Sequence, residues 1–393
     1  MPRTAAGCPD YYSAHPAASR FHAMPATSLY IHVPFCQSRC IYCDFYSTTR
    51  PATHAAPYVR ALEAEMAARA EEAPSVSTVY LGGGTPSQLT PQQIEDVFRA
   101  IHSHFRIASG AEITVELNPD DVTPTLSRLL KALGVNRTSL GVQTFSDTRL
   151  QFLRRRHDAR QAREAVEGLA REIGNVSVDL IYGLPGQTEA DWAEDVRTAL
   201  NLPVTHLSAY ALTYEPGTRL WQMRERGEVQ ETDDESSRSM YMALKDMAEQ
   251  AGFEHYEVSN FARPGYASRH NNAYWLGLPY IGLGPGAHSY DGKRIRRRNL
   301  PDLHAYNSAP GSPPAEREEL TDTELYDELV MTRLRLREGI TLDTLSAADR
   351  DFLLNAAAPH LSRGTLAHSG NRLHLTREGL FVSDAIMADL MRG

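Results

Sequence analysis

The chain has 393 residues, 42% hydrophobic and 23% charged, a size and balance that suit two or three soluble globular domains. A formal net charge of −9 argues against broad nucleic-acid binding, and no apolar stretch approaches the roughly 18 residues that a bilayer span needs. Four cysteines, three of them clustered, do not make a disulfide framework and point to a reducing, cytoplasmic setting, with peripheral membrane contact left open.

In chain order, residues 1–27 read as a flexible leader rich in Ala, Pro, Ser and His, without a signal-peptide core, and carrying Cys8. From Ser28, β-rich runs alternate with helical ones. Strands are predicted at Leu29–Val33, Thr78–Leu81, Glu112–Glu116, Arg137–Val142, Asn175–Asp179 and His206–Ala211, and helices near 55–72, 91–104, 124–133, 158–172 and 189–200. Thr90-Pro91 and Thr123-Pro124 each place a cap before a proline at the first helical position, and Leu133-Gly134 is a helix stop. This alternation predicts a parallel sheet, either doubly wound or a partial barrel. Tyr30, the Gly82–Thr85 turn, Glu116, Gln143 and Asp179 fall on or just after successive strands, most of them at the C-terminal ends, which favours a partial (β/α)6 TIM-like barrel over residues 28–215.

Residues 216–315 are less regular, an extension of the barrel with a helix predicted from Asp233 to Ala251 and a Gly/Pro/aromatic segment at 270–290. The basic run Lys293–Arg298 reads first as a solvated hairpin and second as a contact for an anionic ligand. Residues 316–393 read as a small α+β module, winged-helix-like in pattern, with a helix over Glu324–Leu336 and a strand near Arg372–Thr376.

The chemistry begins at Cys36, Cys40 and Cys43, a CxxxCxxC triplet directly after the first strand. Three thiolates can hold a 4Fe–4S cluster and leave one iron without a protein ligand, whereas a structural zinc wants four ligands in paired motifs that this chain lacks. Gly82-Gly83-Gly84-Thr85 exposes backbone amides to a close ligand, although a tight turn alone would also explain it. Glu116 is an acid at a strand end.

The cysteine motif with its Tyr42 resembles the signature of the radical S-adenosylmethionine superfamily. Tyr30–Cys36, Gly82–Pro86, Val115–Pro119, Gly141–Phe145, Arg155–His157 and Asp179–Thr188 together resemble its coproporphyrinogen dehydrogenase-like branch, over almost the whole chain after the leader. That resemblance implies a 4Fe–4S cluster on the three cysteines and Tyr42 near the adenine. It implies S-adenosylmethionine contacts from Tyr30, Gly83, Gly84, Thr85, Glu116, Gln143, Arg155 and Asp179, with Ala211 mapped less securely to a second molecule.

Phe45 stands where the dehydrogenases carry a further cysteine, and His270-Asn271-Asn272-Ala273-Tyr274-Trp275 matches the HNxxYW motif of the branch's heme-chaperone subfamily. A neutral imidazole is a good axial ligand for heme iron, so His270 is the expected heme residue, with His288 and His255 as weaker alternatives. The implied partners are heme, apo-hemoproteins of respiration or heme storage, a reductant such as flavodoxin or ferredoxin, and a second copy in a homodimer. The competing expectation is oxidative decarboxylation of coproporphyrinogen III; a different radical reaction is a third.

Overall fold

The computed structural model describes residues 27–50 and 55–393, so most of the leader, with Cys8, lies outside the described residues. Six parallel strands run in sequence order: β1 (Thr27–Val33), β2 (Val76–Gly83), β3 (Ile107–Leu117), β4 (Arg137–Gln143), β5 (Val176–Tyr182) and β6 (His206–Ala211). The helices between them are α1 (Ala55–Arg69), α2 (Pro91–His104), α3 (Pro124–Ala132), α4 (Asp147–Phe152), α5 (Ala159–Glu172) and α6 (Glu189–Asn201). The order never reverses, so there is no switch point of the doubly wound kind, and β1 does not pair with β6. The sheet is a partial barrel, as the polar strand ends predicted.

Alternation with period two builds it. Leu29, Ile31, Val79, Leu81, Ile113, Val115, Leu140, Val178, Leu180 and Leu207 are buried in the main core. The intervening positions are polar or aromatic and stand in register on the other face: Tyr30, Tyr80, Thr114 and Arg137 in one row, then Glu116, Ser139, Ser177 and His206 in the next. The predicted caps are real. Thr90 and Gln93 make a capping box at the start of α2, and the Thr123 hydroxyl accepts from Leu126 N–H at the start of α3.

After β6 come α7 (Arg219–Glu225), α8 (Asp234–Gln250), β7 (Glu254–Glu257), β8 (Asn260–Ala262), α9 (Arg269–Trp275), β9 (Tyr280–Leu283), β10 (His288–Tyr290), β11 (Ile295–Asn299), α10 (Leu303–Ser308) and β12 (Ala315–Glu319). They extend both edges: β8 and β7 continue the sheet beyond β6, while β9 pairs parallel with β1 and leads through β10 and β11 to β12. The C-terminal part has α11 (Asp322–Arg333), β13 (Ile340–Thr341), α12 (Ala347–Arg363), β14 (Leu366–Ser369), β15 (Arg372–Leu375), α13 (Arg377–Leu380) and α14 (Ser383–Leu390). Its small antiparallel sheet and helices close over their own apolar cluster around Val330, Leu353, Leu373 and Ile386.

Candidate functional site

The cysteine loop leaves the end of β1 and is closed at its base. Cys36 N–H donates to the Thr48 carbonyl at 3.0 Å, and Thr48 N–H to that of Pro34 at 2.7 Å. Its far end is pinned by Ile41, buried with Leu153, Ile181, Leu184 and Leu220, and Tyr42 packs against the same cluster. Cys36, Cys40 and Cys43 are free thiols, each partly exposed.

The glycine turn after β2 lies directly against this loop. Gly84 N–H donates to Val33 O and Thr85 N–H to Phe35 O, both at 2.8 Å. A Cβ on Gly84 would sit 2.7 Å from Val33 O, so the approach requires glycine there. The Thr85 hydroxyl donates to Cys36 Sγ at 3.5 Å and accepts from Asn118 Nδ2 at 3.2 Å. Arg155 completes the circuit: Nη2 donates to Asn118 Oδ1 at 2.7 Å and Nη1 to Cys40 Sγ at 3.3 Å. A continuous hydrogen-bonded chain therefore joins two of the three sulfurs through Thr85, Asn118 and Arg155.

Two donors aimed at sulfur suit thiolates, and the donor set fits a cluster held by three cysteines. As free thiols, Cys36 and Cys43 have pKa values raised by burial, Cys43 to about 11, so deprotonation needs a cationic partner such as a cluster supplies. Among the described residues no three His, Cys, Asp or Glu side chains converge tightly enough to hold one metal ion; a cube is gripped by thiolates spread around it.

The other expected contacts line the same strand ends. Glu116 accepts from Tyr80 OH at 2.7 Å and from Gly83 N–H at 3.0 Å, and burial pushes its carboxyl up to about 7. Asp179 accepts from Ser139 Oγ at 3.2 Å and is likewise raised by burial. Gln143 ends β4 at φ 70° beside a register shift, a conformation that side chains other than glycine rarely adopt. Tyr30 OH bonds His32 Nδ1 at 3.1 Å, and Ala211 is exposed at the end of β6. Sequence reasoning missed Arg137, only 1% exposed, whose charge acts on Tyr80, Glu116, Asp179 and His270. Its signal was the strand alternation, which sends Arg137 to the polar face. Asn118 lay inside a quoted motif but its bridging role needed the third dimension.

His270 is on α9, against the polar face of β2, and is 1% exposed. Its Nδ1 shares a hydrogen bond with Thr78 Oγ1 and its Nε2 one with Tyr274 OH, both at 2.8 Å, and its ring stacks on Tyr80. Burial, helped by Arg137, lowers its pKa to about 3, so it is neutral. His255 stacks on Phe261 and hydrogen-bonds Val258 O through Nε2 at 3.2 Å.

Beside the strand ends opens a cleft of about 1310 Å³, larger than the roughly 300–1,000 Å³ of ordinary small-molecule sites. Tyr30 and His32 of β1 form its inner wall; Tyr274 and Trp275 of α9, Tyr280, Tyr290 and α11 form the others. The cysteine loop overhangs it with Arg39, Tyr46 and Phe45, the last 65% exposed. Strand alternation divides the basic run: Arg296 and Arg298 line the cleft and Arg297 turns to the other face, while Arg294, just before β11, pairs with Asp322.

Comparison with known proteins agrees with this geometry. The model of the radical SAM superfamily matches residues 30–199, and that of the HemN C-terminal domain matches residues 320–382. The heme chaperone HemW of Mycobacterium tuberculosis is 38% identical over 371 residues, 92% of this chain and 94% of that protein. HemW of Bacillus subtilis is 34% identical over 370 residues, 91% of this chain and 97% of its own.

The chain belongs to the HemN-like branch of the radical SAM superfamily, among the HemW proteins.

Membership of this branch goes with the fold. The structure of coproporphyrinogen III oxidase (HemN) from Escherichia coli superposes with a TM-score of 0.81 at 23% identity, covering 94% of this chain and 91% of that one. At that identity the likeness speaks to architecture alone. The branch also implies the 4Fe–4S cluster and S-adenosylmethionine for which the cysteine loop is suited. None of the described helices is long and apolar enough to cross a membrane.

Proposed function

We propose that this HemW-like protein is a heme chaperone. It carries a 4Fe–4S cluster and S-adenosylmethionine at the strand ends, binds heme in the adjoining cleft, and passes it to an apo-hemoprotein. The observation that carries this reading is the cleft itself. Aromatic walls for a flat macrocycle and arginines for its carboxylates open next to the cysteine loop, and Phe45 takes the place of the dehydrogenases' extra cysteine. Identity of 34–38% to proteins named heme chaperones, over almost the full chain, supports it.

Cys36, Cys40 and Cys43 would hold the cluster, which when bound would supply a site for the methionyl group and the electron for sulfonium chemistry. Arg155 and Thr85 orient two of the sulfurs and keep them hydrogen-bonded. Gly83 and Gly84 bring backbone close to the nucleotide's methionyl end, with Tyr42 beside its ring. Tyr30, Glu116, Gln143 and Asp179 supply polar groups around it, and Ala211 borders the outer end. Residues 28–215 act as the cluster-bearing barrel, 216–315 as an extension that forms much of the cleft wall, and 316–393 as the module that closes it. Ligation of heme by His270 would require its bond to Tyr274 to open. A cytoplasmic location, a flavodoxin or ferredoxin reductant and a dimer accord with the family.

The anaerobic assay of the reconstituted protein with coproporphyrinogen III, reductant and S-adenosylmethionine tests this against the enzyme reading. The expected result is no protoporphyrinogen IX above background while heme binds stoichiometrically. Robust product formation overturns the chaperone assignment.

A further inference from the structure

Three histidines lie in or beside the cleft: His32, His270 and His288. An axial ligand must present an unengaged imidazole nitrogen to the open space. His32 cannot, because Nδ1 bonds Tyr30 OH and Nε2 lies 2.9 Å from Tyr46 O. His270 has both nitrogens engaged and is buried behind Tyr274. His288 is different. It lines the cleft, is exposed, and its imidazole has no hydrogen-bond partner among the described residues.

Its surroundings suit a porphyrin. In the antiparallel β10–β11 pair His288 stands opposite Arg298, Ser289 opposite Arg297 and Tyr290 opposite Arg296. Opposed residues share a face, so His288, Arg298, Tyr290 and Arg296 line one side together, while Ser289 turns inward to Arg69. Arg296 is paired with Glu328 at 2.6 Å and sits over the Tyr290 ring. Arg298 and Arg39 have no ion-pair partner among the described residues, so they are cations available to a ligand's carboxylates. Burial, then Arg298 and Arg296, lower the His288 pKa from the ordinary imidazole value against an opposing pull from Glu316, which favours the neutral form that donates to a metal. Tyr280 and Tyr290, with ring centroids 6.3 Å apart, continue the wall.

Resting on the heme-chaperone reading, we propose that His288 is the axial ligand of heme in this cleft, that Arg298 takes a propionate, and that His270 is a positioning residue. His270 ties Tyr274 to β2 through its two ring nitrogens and so fixes the aromatic wall.

The test is a hemin difference titration of the cluster-loaded full-length protein, its His288→Ala, Arg298→Ala and His270→Ala variants, each checked by circular dichroism. His288→Ala should weaken hemin binding about tenfold or more and shift the Soret band, with free imidazole restoring the wild-type spectrum. Arg298→Ala should weaken binding and leave the band in place. His270→Ala should keep the wild-type band position, with a loss of affinity only. A His288→Ala protein with unchanged band and affinity overturns the proposal, as does loss of the ligation spectrum in His270→Ala rescued by imidazole. A wild-type protein that binds no hemin would instead remove the chaperone reading beneath it.

Discussion

Single residues at the strand ends pay for their positions in ways that can be measured. Glu116 is held by Tyr80 and the Gly83 amide, yet burial keeps its folded pKa near 7, above the ordinary carboxylate value. The folded state therefore binds more protons than the unfolded state between the two values, and stability falls as pH rises through that window. Glu116→Gln, which can still accept from Gly83 N–H, should stabilise the ligand-free protein on the order of 1–3 kcal/mol near pH 8 and by less near pH 5. Urea denaturation at both pH values measures this; equal gains at the two would mean that ionisation of Glu116 costs nothing. Gln143, held at φ 70°, is a second such residue, and backbone strain of this kind gathers where a side chain must be aimed.

At the scale of elements, the cleft depends on how the extension is tied to the barrel. Glu65 of α1 is fully buried and bonds Arg69 of the same helix. It also accepts from Gly284 N–H, Asn299 Nδ2 and Tyr306 OH, at 3.0, 2.8 and 2.7 Å. One carboxylate thus fastens α1 to the segment after β9, to β11 and to α10. Glu65→Ala leaves Arg69 and three other donors facing a void and should cost about 3–5 kcal/mol by urea unfolding. A loss under about 1 kcal/mol would show that the extension is held by apolar packing instead. None of this was legible in the sequence, where Glu65 looks like an ordinary acid of an amphipathic helix. The barrel was legible because its signals are local: Thr90-Pro91 capped α2 as expected, and the apolar alternation marked the six strands to within a few residues. The expected strand at Glu112 starts earlier, at Ile107, which pairs with Val76 across a register shift, and the residues between, 108–111, carry no apolar alternation. Strands of three or four residues such as β8 and β10 gave no periodicity to read, and the Thr85 and Arg155 partners of Asn118 and the Thr78 partner of His270 come from distant parts of the chain.

For the whole molecule, two sites share one wall. Tyr30 stands in register with Tyr80, lines the cleft, and lies 6.4 Å between ring centroids from His270. The strand-end pocket and the cleft are thus neighbours across a single aromatic layer, with the cysteine loop above both. That layout suits a carrier whose cargo rests beside its cofactor and is reached from outside. The C-terminal module faces the same space through α11 residues Leu325, Leu329 and Met331. The most direct measurement is transfer. Heme-loaded protein, freed of excess heme, is mixed anaerobically with an apo-hemoprotein, the two are separated, and heme in each is read from its Soret band. Stoichiometric loading followed by appearance of heme in the recipient is the predicted result; heme that never binds at one per chain, or that stays with this protein when the recipient is in excess, contradicts the account.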